Sequence, residues 1–469
     1  MTRLFSSEGM SRKLKLHGDV PTTKTLYKDF LKMAWPAIVE SVLMSFVNIV
    51  DTMMVANCGT NAVAAVGITT QPRMIFYAVF FALSVAVTAI VSRRKGQDDR
   101  EGANRCLSQS MGLITVLAVI LCGTAIVVAE PLLYFAGANE DTIVQSTEYY
   151  RITMIGLMFT SFGMIINAAQ RGSGNTKLSM RTNVVANVTN IIFNALLING
   201  LFGFPELGVT GAAIATLIGN IASFGMSLFS LFQKGKYLYF DFKGMVVWNI
   251  SQLRTIGKVV LGASTEQIVM RVGFFVFAKV VAELGTAEIA THTICMNIML
   301  LSFASGDGLS VAASALIGQN LGKQRPDLAS LYAKAGQRIG VLVSIMLCLL
   351  FTFFGGFIVE LFVAVDDPDY AFVMETGRIL TFFIAVISPG QISQVVYNGA
   401  LRGAGDTKYV AITSMVSIGA FRTLLAFVLC KFTPLGIYGA WLSLVADQYV
   451  RLIFSSYRFI SGKWSTINL

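Results

Sequence analysis

Two carboxylates interrupt an apolar run. In stretch 35–58, WPAIVESVLMSFVNIVDTMMVANC, Glu40 and Asp51 stand among aliphatic residues, with Asn48 between them. The stretch is long enough to cross a bilayer as a helix, for which ~20 residues suffice. Eleven residues turn an α-helix through about 1100°, so Glu40 and Asp51 share nearly one face, roughly 16 Å apart along the axis. An ionised group at mid-bilayer costs about 2.5–3.5 kcal/mol on insertion scales. Its natural chemistry is reversible protonation or cation binding. The alternative is a structural hydrogen bond inside a helix bundle.

Other polar residues sit in apolar surroundings. Asn183, Asn187, Asn190 and Asn194 are spaced 4, 3 and 4 apart, which is one helical face. Arg73 follows Pro72, whose missing N–H frees a carbonyl that Arg73 or Gln71 can satisfy; a structural or gating role and substrate contact both suit Arg73. Arg271 lies mid-span, with Glu266, Asp307 and Asp51 as candidate partners. Asp447 and Arg451 are i, i+4 neighbours and read as an ion pair. The six cysteines lie singly, and with two histidines there is no metal-ligand cluster or nucleophile–base arrangement. An enzyme is therefore not expected, nor a cofactor or bound metal, apart from a possible sodium ion at Asp51.

The elements that position these groups follow from composition. Charged residues make up 13% of the chain and mean hydropathy is +0.67, whereas soluble domains are nearer ~25% charged. Twelve spans are expected, near 31–56, 63–91, 108–129, 143–170, 178–201, 209–233, 256–283, 288–317, 334–362, 372–401, 409–430 and 436–460. The net charge of +10 is no nucleic-acid signal, because the basic residues fall in alternate short loops. That alternation places both termini in the cytoplasm. The first thirty residues are polar and basic, without a signal-peptide apolar region.

The chain repeats itself. At an offset of 226, Glu40 falls on Glu266 and the run 83–86, LSVA, on 309–312, LSVA. At 231, NAAQRGSGNTK (167–177) falls on NGALRGAGDTK (398–408). The expected architecture is all-α, with twelve transmembrane helices in two six-helix lobes related by a pseudo-two-fold axis along the membrane normal. The lobes are 31–233 and 256–460, between a tail at 1–30 and a tail at 461–469, joined by an amphipathic cytoplasmic linker at 234–255. The halves differ in a telling way. Asp51 falls on Phe277, and the asparagine face falls on Ser414, Ile418, Phe421 and Leu425. A hydrated ion or proton site in the first lobe follows; amide pairing between helices, at about 0.6–2 kcal/mol per contact, is the alternative.

These runs resemble the multidrug and toxic compound extrusion (MATE) family. The resemblance spans nearly the whole chain: Pro36 to Asp51 within NIVDTMMVA, LGVTGAAIATLIGN (207–220), ELGTAEIATHTICMNIMLLSF (283–303), ASALIGQNLG (313–322), LRGAGDTK (401–408) and IYGAWLSLVAD (437–447). The last two, with EQIVMR (266–271) and RFISGKW (458–464), are similar to its bacterial DinF-like branch. The resemblance implies a secondary antiporter that exports amphipathic, often cationic, small organic molecules against H+ or Na+, working as a monomer in the bacterial cytoplasmic membrane. It implies that Asp51 is the coupling carboxylate, with Asn190 and Thr216 in the same site. Three positions depart from the family pattern. Asn194 stands where prokaryotic members have a second aspartate. Gly262 and Met270 replace the proline and glutamate of other branches, with Glu266 one turn earlier, and Gln391 lies near a further aspartate position. Coupling through Asp51, Asn187, Asn190, Asn194 and Thr216, with protons favoured over sodium, is the resulting expectation. Glu40, Asn48, Arg73, Asn183, Glu266, Met270, Arg271 and Gln391 are the candidates for the substrate cavity. A flippase for a lipid-linked or anionic precursor is the alternative, kept open by Arg73 and Arg271.

Overall fold

A computed structural model describes residues 5–12, 14–56, 58, 60–198, 200–233, 235–363 and 369–467. Through them run twelve long helices: α1 (Thr23–Ala56), α2 (Thr60–Gly96), α3 (Arg100–Val127), α4 (Ile143–Gly172), α5 (Thr176–Ile198), α6 (Gly208–Phe232), α7 (Ile250–Ala282), α8 (Thr286–Gly322), α9 (Pro326–Glu360), α10 (Tyr370–Gly403), α11 (Thr407–Phe432) and α12 (Gly436–Ile460). Ten are long and apolar enough to cross a membrane by composition alone; α5 and α12 are not. The asparagines of α5 and the ionised residues of α12 lower their hydropathy, so packing within the bundle must offset what lipid would not.

Several helices start earlier than the apolar runs. α1 begins at Thr23 and α7 at Ile250, because polar turns continue the helix beyond the span. At α7 the Asn249 carboxamide caps the end, accepting from the Gln252 amide at 3.2 Å. α3 is capped by Asp99, which accepts from the Gly102 amide at 2.8 Å.

The chain divides into two packing units. The N unit is Val39–Ser264; the C unit is Met1–Ile38 with Thr265–Leu469. The divisions therefore fall inside α1 and α7. In α1 the change comes two residues after Pro36, where the proline removes a helical hydrogen bond. The first half of α1 belongs to the core of the C unit. Leu26 and Phe30 are fully buried there, and Phe30 covers Gly336 so closely that an added Cβ would lie 2.6 Å from its ring.

The repeat is visible as matched close approaches. A Cβ on Gly172 of α4 would lie 2.8 Å from the Thr88 carbonyl oxygen of α2. In the C unit a Cβ on Gly403 of α10 would lie 2.1 Å from the Ser314 carbonyl oxygen of α8. Each glycine opens the same turn, in which Gly174 (φ 96°) and Gly405 (φ 90°) take the left-handed conformation that ends the helix.

The linker after α6 is strapped to α3. Arg100 and Asn104 donate to the Tyr237 carbonyl at 3.0 and 3.1 Å, and Asn104 accepts from the Tyr239 amide at 2.8 Å. Gln109 donates to the Val247 carbonyl at 2.6 Å and accepts from the Asn249 amide at 2.8 Å. A short helix, Phe242–Val246, lies in this strap, with Phe242, Val246, Val247 and Trp248 exposed.

Candidate ion-coupling site

Asp51 lies on the half of α1 that belongs to the N unit, facing α5. The Asn194 carboxamide donates to its Oδ1 at 2.7 Å and to Asn190 Oδ1 at 3.2 Å. Asn190 in turn donates to Thr216 Oγ1 at 3.1 Å, and Thr216 donates to the Ala212 carbonyl at 3.0 Å. The register is set by Gly219, where a Cβ would lie 2.7 Å from the Ala186 carbonyl oxygen. That closeness brings α6, and with it Thr216, against α5. A cavity of about 130 Å³ opens beside Asp51, lined also by Met44, Asn187, Asn190 and Thr216.

The donors run one way. Asn194 gives both its N–H groups, one to the carboxylate, which as an ion only accepts. Asn194 Oδ1 and Asn187 Nδ2 are buried without a hydrogen-bond partner among the described residues. Of the two, Asn187 lines the cavity and leaves one donor for whatever enters it. Arg73, half-buried on α2, lies within Coulombic reach of Asp51 and of Tyr149 on α4. The Coulombic pull of Arg73 on Asp51 is a feature the sequence reading missed, because the facing of α1 to α2 is tertiary. The side chain of Asn48 lies outside the described residues.

The asparagine face divides between two carboxylates. Asn183 does not join the Asp51 chain; it donates to Glu40 Oε1 at 2.8 Å. Ser179 donates to the same oxygen at 3.1 Å, and the Arg171 guanidinium lies 3.5 Å from it. Glu40 is thus held by three partners on α4 and α5 and is 9% exposed.

In the C unit, Glu266 forms a two-pronged ion pair with Arg402 of α10. Glu266, one of the three candidate partners of Arg271, is thus engaged by another arginine. Glu266 and Arg271 are five residues apart on α7, away from a shared face; Arg271 is exposed and makes no ion pair among the described residues. Asp307, exposed on α8, lies within Coulombic reach of Arg402 and Glu266 instead. Met270 is partly exposed, and Gln391 has no exposed surface. Arg171 and Arg402 are themselves repeat equivalents (171 + 231), so both units carry the same Glu–Arg pair. Both arginines stood in the quoted repeat motif; combining the 226 and 231 registers was the signal that would have paired them. The Asp447–Arg451 pair is present at 2.8 Å. Among the described residues no group of three or more His, Cys, Asp or Glu could hold a metal ion.

The MatE family model matches residues 36–196 and 263–428. The chain is 28% identical to a "Probable multidrug resistance protein NorM" of Thermotoga maritima over 446 residues, covering 93% of each. It is 26% identical to an "Uncharacterized transporter YisQ" of Bacillus subtilis, covering 95% of this chain and 96% of that one. Among solved structures, an outward-facing multidrug resistance MATE family transporter superposes with a TM-score of 0.87 at 21% identity, covering 93% of this chain and 97% of the other. A MATE in a bent conformation superposes at 0.84 with 21% identity, covering 94% and 98%. Twelve helices in two units, a repeated Glu–Arg pair and the matched family model lead to one assignment: the chain belongs to the MatE family of multi-pass membrane transporters, and is not an enzyme.

Proposed function

We propose that the protein is a proton-coupled antiporter that exports amphipathic, often cationic, organic compounds from a bacterial cell, with Asp51 as the coupling group. The observation that carries this is the Asp51–Asn194 hydrogen bond beside a small polar cavity. The multidrug names of the bacterial relatives support the substrate class. The alternation of basic loops supports both termini in the cytoplasm.

Arg73 favours the proton over sodium. A sodium ion beside Asp51 would meet one carboxylate with only amide and hydroxyl oxygens besides, under the Coulombic opposition of the nearby Arg73. A proton forms a covalent O–H bond, and its arrival removes the charge that attracts Arg73. The Asn194 contact and the Arg73 attraction both weaken when the carboxyl is neutral, so protonation loosens α1 from α2 and α5. That is a local change able to bias an alternating-access equilibrium. One charge moved through 100 mV supplies ~2.3 kcal/mol, against ~1.4 kcal/mol for a tenfold gradient.

Transport of cationic dyes into proteoliposomes tests the reading, with proton and sodium gradients imposed separately. The proton gradient alone should drive exchange. Asp51→Asn should abolish gradient-driven transport while leaving dye binding intact. Undiminished transport by that variant would sink the mechanism, and drive by sodium alone would reassign the ion. A second reading, an exporter of anionic or lipid-linked precursors, is favoured by the exposed Arg271, which makes no ion pair among the described residues. Anionic substrates whose transport is lost in Arg271→Gln would establish it.

A further inference from the structure

Around Asp447 the C unit buries two guanidinium groups against one carboxylate. Arg422, in the interior of α11, has no exposed side-chain surface, and neither has Asp447. Asp447 is already engaged: its Oδ2 lies 2.8 Å from Arg451, and Ser417 donates to its Oδ1 at 2.6 Å. Arg422 reaches that carboxylate only at 3.9 Å. Two guanidinium groups thus share one carboxylate.

Aromatic rings cover the faces of Arg422, with the Phe274 ring 4.5 Å and the Phe277 ring 5.3 Å from its central carbon. Rings attract the charge over the plane, but the five N–H donors lie in the plane. All three guanidinium nitrogens lack a hydrogen-bond partner among the described residues. So do the indole nitrogen of Trp441 and Nδ1 of His292, both in buried side chains. These groups form one cluster: the His292 ring lies 5.5 Å from Phe277 and 5.8 Å from Trp441. Buried donors of this kind are rare without a partner.

The backbone here is also irregular. Residues Met415–Arg422 form a π-helical segment within α11. Such turns are rare, often mark functional sites, and hold one more residue per turn than the α form, which gives the helix slack to adjust.

We propose that Arg422, Trp441 and His292 form a buried binding site in the C unit for a small monovalent inorganic anion of the halide class, the counter-ion that Asp447 does not supply. The closed packing excludes organic anions and strongly hydrated ones. Adjustment of the π-helical turn admits the ion.

The test uses the full-length protein in nanodiscs at constant sodium concentration and ionic strength, with gluconate replaced stepwise by chloride or bromide. The thermal midpoint should rise with halide and follow a saturable binding curve, and Arg422→Gln should flatten the dependence. A wild-type midpoint indifferent to halide overturns the proposal, as does an equal rise in Arg422→Gln. If that variant does not fold, a chain keeping Trp441 alone (Trp35→Phe, Trp248→Phe, Trp464→Phe) is titrated with iodide. Saturable quenching displaced by chloride supports the site; linear quenching untouched by chloride overturns it.

Discussion

Glu40 and Glu266 look alike in sequence and are held alike in space, yet their burdens differ. Glu266 meets Arg402 through both carboxylate oxygens, and its side chain is 3% exposed. Glu40 shares Arg171 with hydrogen bonds from Ser179 and Asn183. Removing one partner of a buried pair costs about 3–5 kcal/mol, because the other charge is stranded. Glu266→Gln should therefore destabilise strongly, and Glu40→Gln less, since two neutral donors remain. A double variant, Glu266→Gln with Arg402→Met, should recover much of the loss. Denaturant-induced unfolding in lipid, read for the four proteins of that cycle, measures the coupling; strict additivity would mean the pair is not one unit. Asp51 could be singled out from the sequence because its repeat equivalent is Phe277 and its helix is otherwise apolar. Its cation could not, since nothing in the spacing of Arg73 tells which helix α2 faces.

At the scale of elements, close packing decides which glycines matter. Gly403 has no room for a Cβ against the Ser314 carbonyl, whereas Gly123 of α3 has nothing within 4 Å. Gly403→Ala should push α10 off α8 and cost about 1–3 kcal/mol, the usual range for overpacking. Gly123→Ala should be neutral or stabilising by about 0.5–1 kcal/mol, the ordinary helix preference for alanine. Thermal midpoints in nanodiscs distinguish them, and equal shifts would contradict the packing argument. Ten of the helices were legible from apolar length. α5 and α12 were placed along with them, although polar side chains dilute their hydropathy. The π-helical segment of α11 was not legible at all: it carries no proline, and the local residue preferences of MVSIGAFR do not distinguish it from α-helix.

For the whole molecule, the expected boundaries at 31 and 256 follow the order of spans, while packing divides the chain at 38/39 and 264/265. Hydropathy sees where a helix enters lipid, not which core its first turns join. A half-chain ending at residue 233 would keep Leu26, Phe30, Met33 and Ala34 but lose the C-unit core that buries them. Expressed alone, it should be degraded; co-expressed with 234–469, it should accumulate and co-purify. Stable accumulation of the 1–233 fragment by itself would contradict this division. The strap between α3 and the linker makes a related prediction. Gln109→Ala loses contacts to Val247 and Asn249, and should speed proteolytic cleavage within 235–249 several-fold without altering cleavage elsewhere.

Phe30 must find Gly336, and the ribosome sets the wait. At roughly 5–20 residues per second, the chain between them takes about 15–60 s to synthesise. Throughout that interval the first span stands in the bilayer with its leading half unmatched, and lipid or the insertion machinery must serve as its temporary neighbour. The protein's opening helix is therefore among the last to be finished, and quality control acting on a nascent chain would read an unmated α1 as the mark of a truncated product.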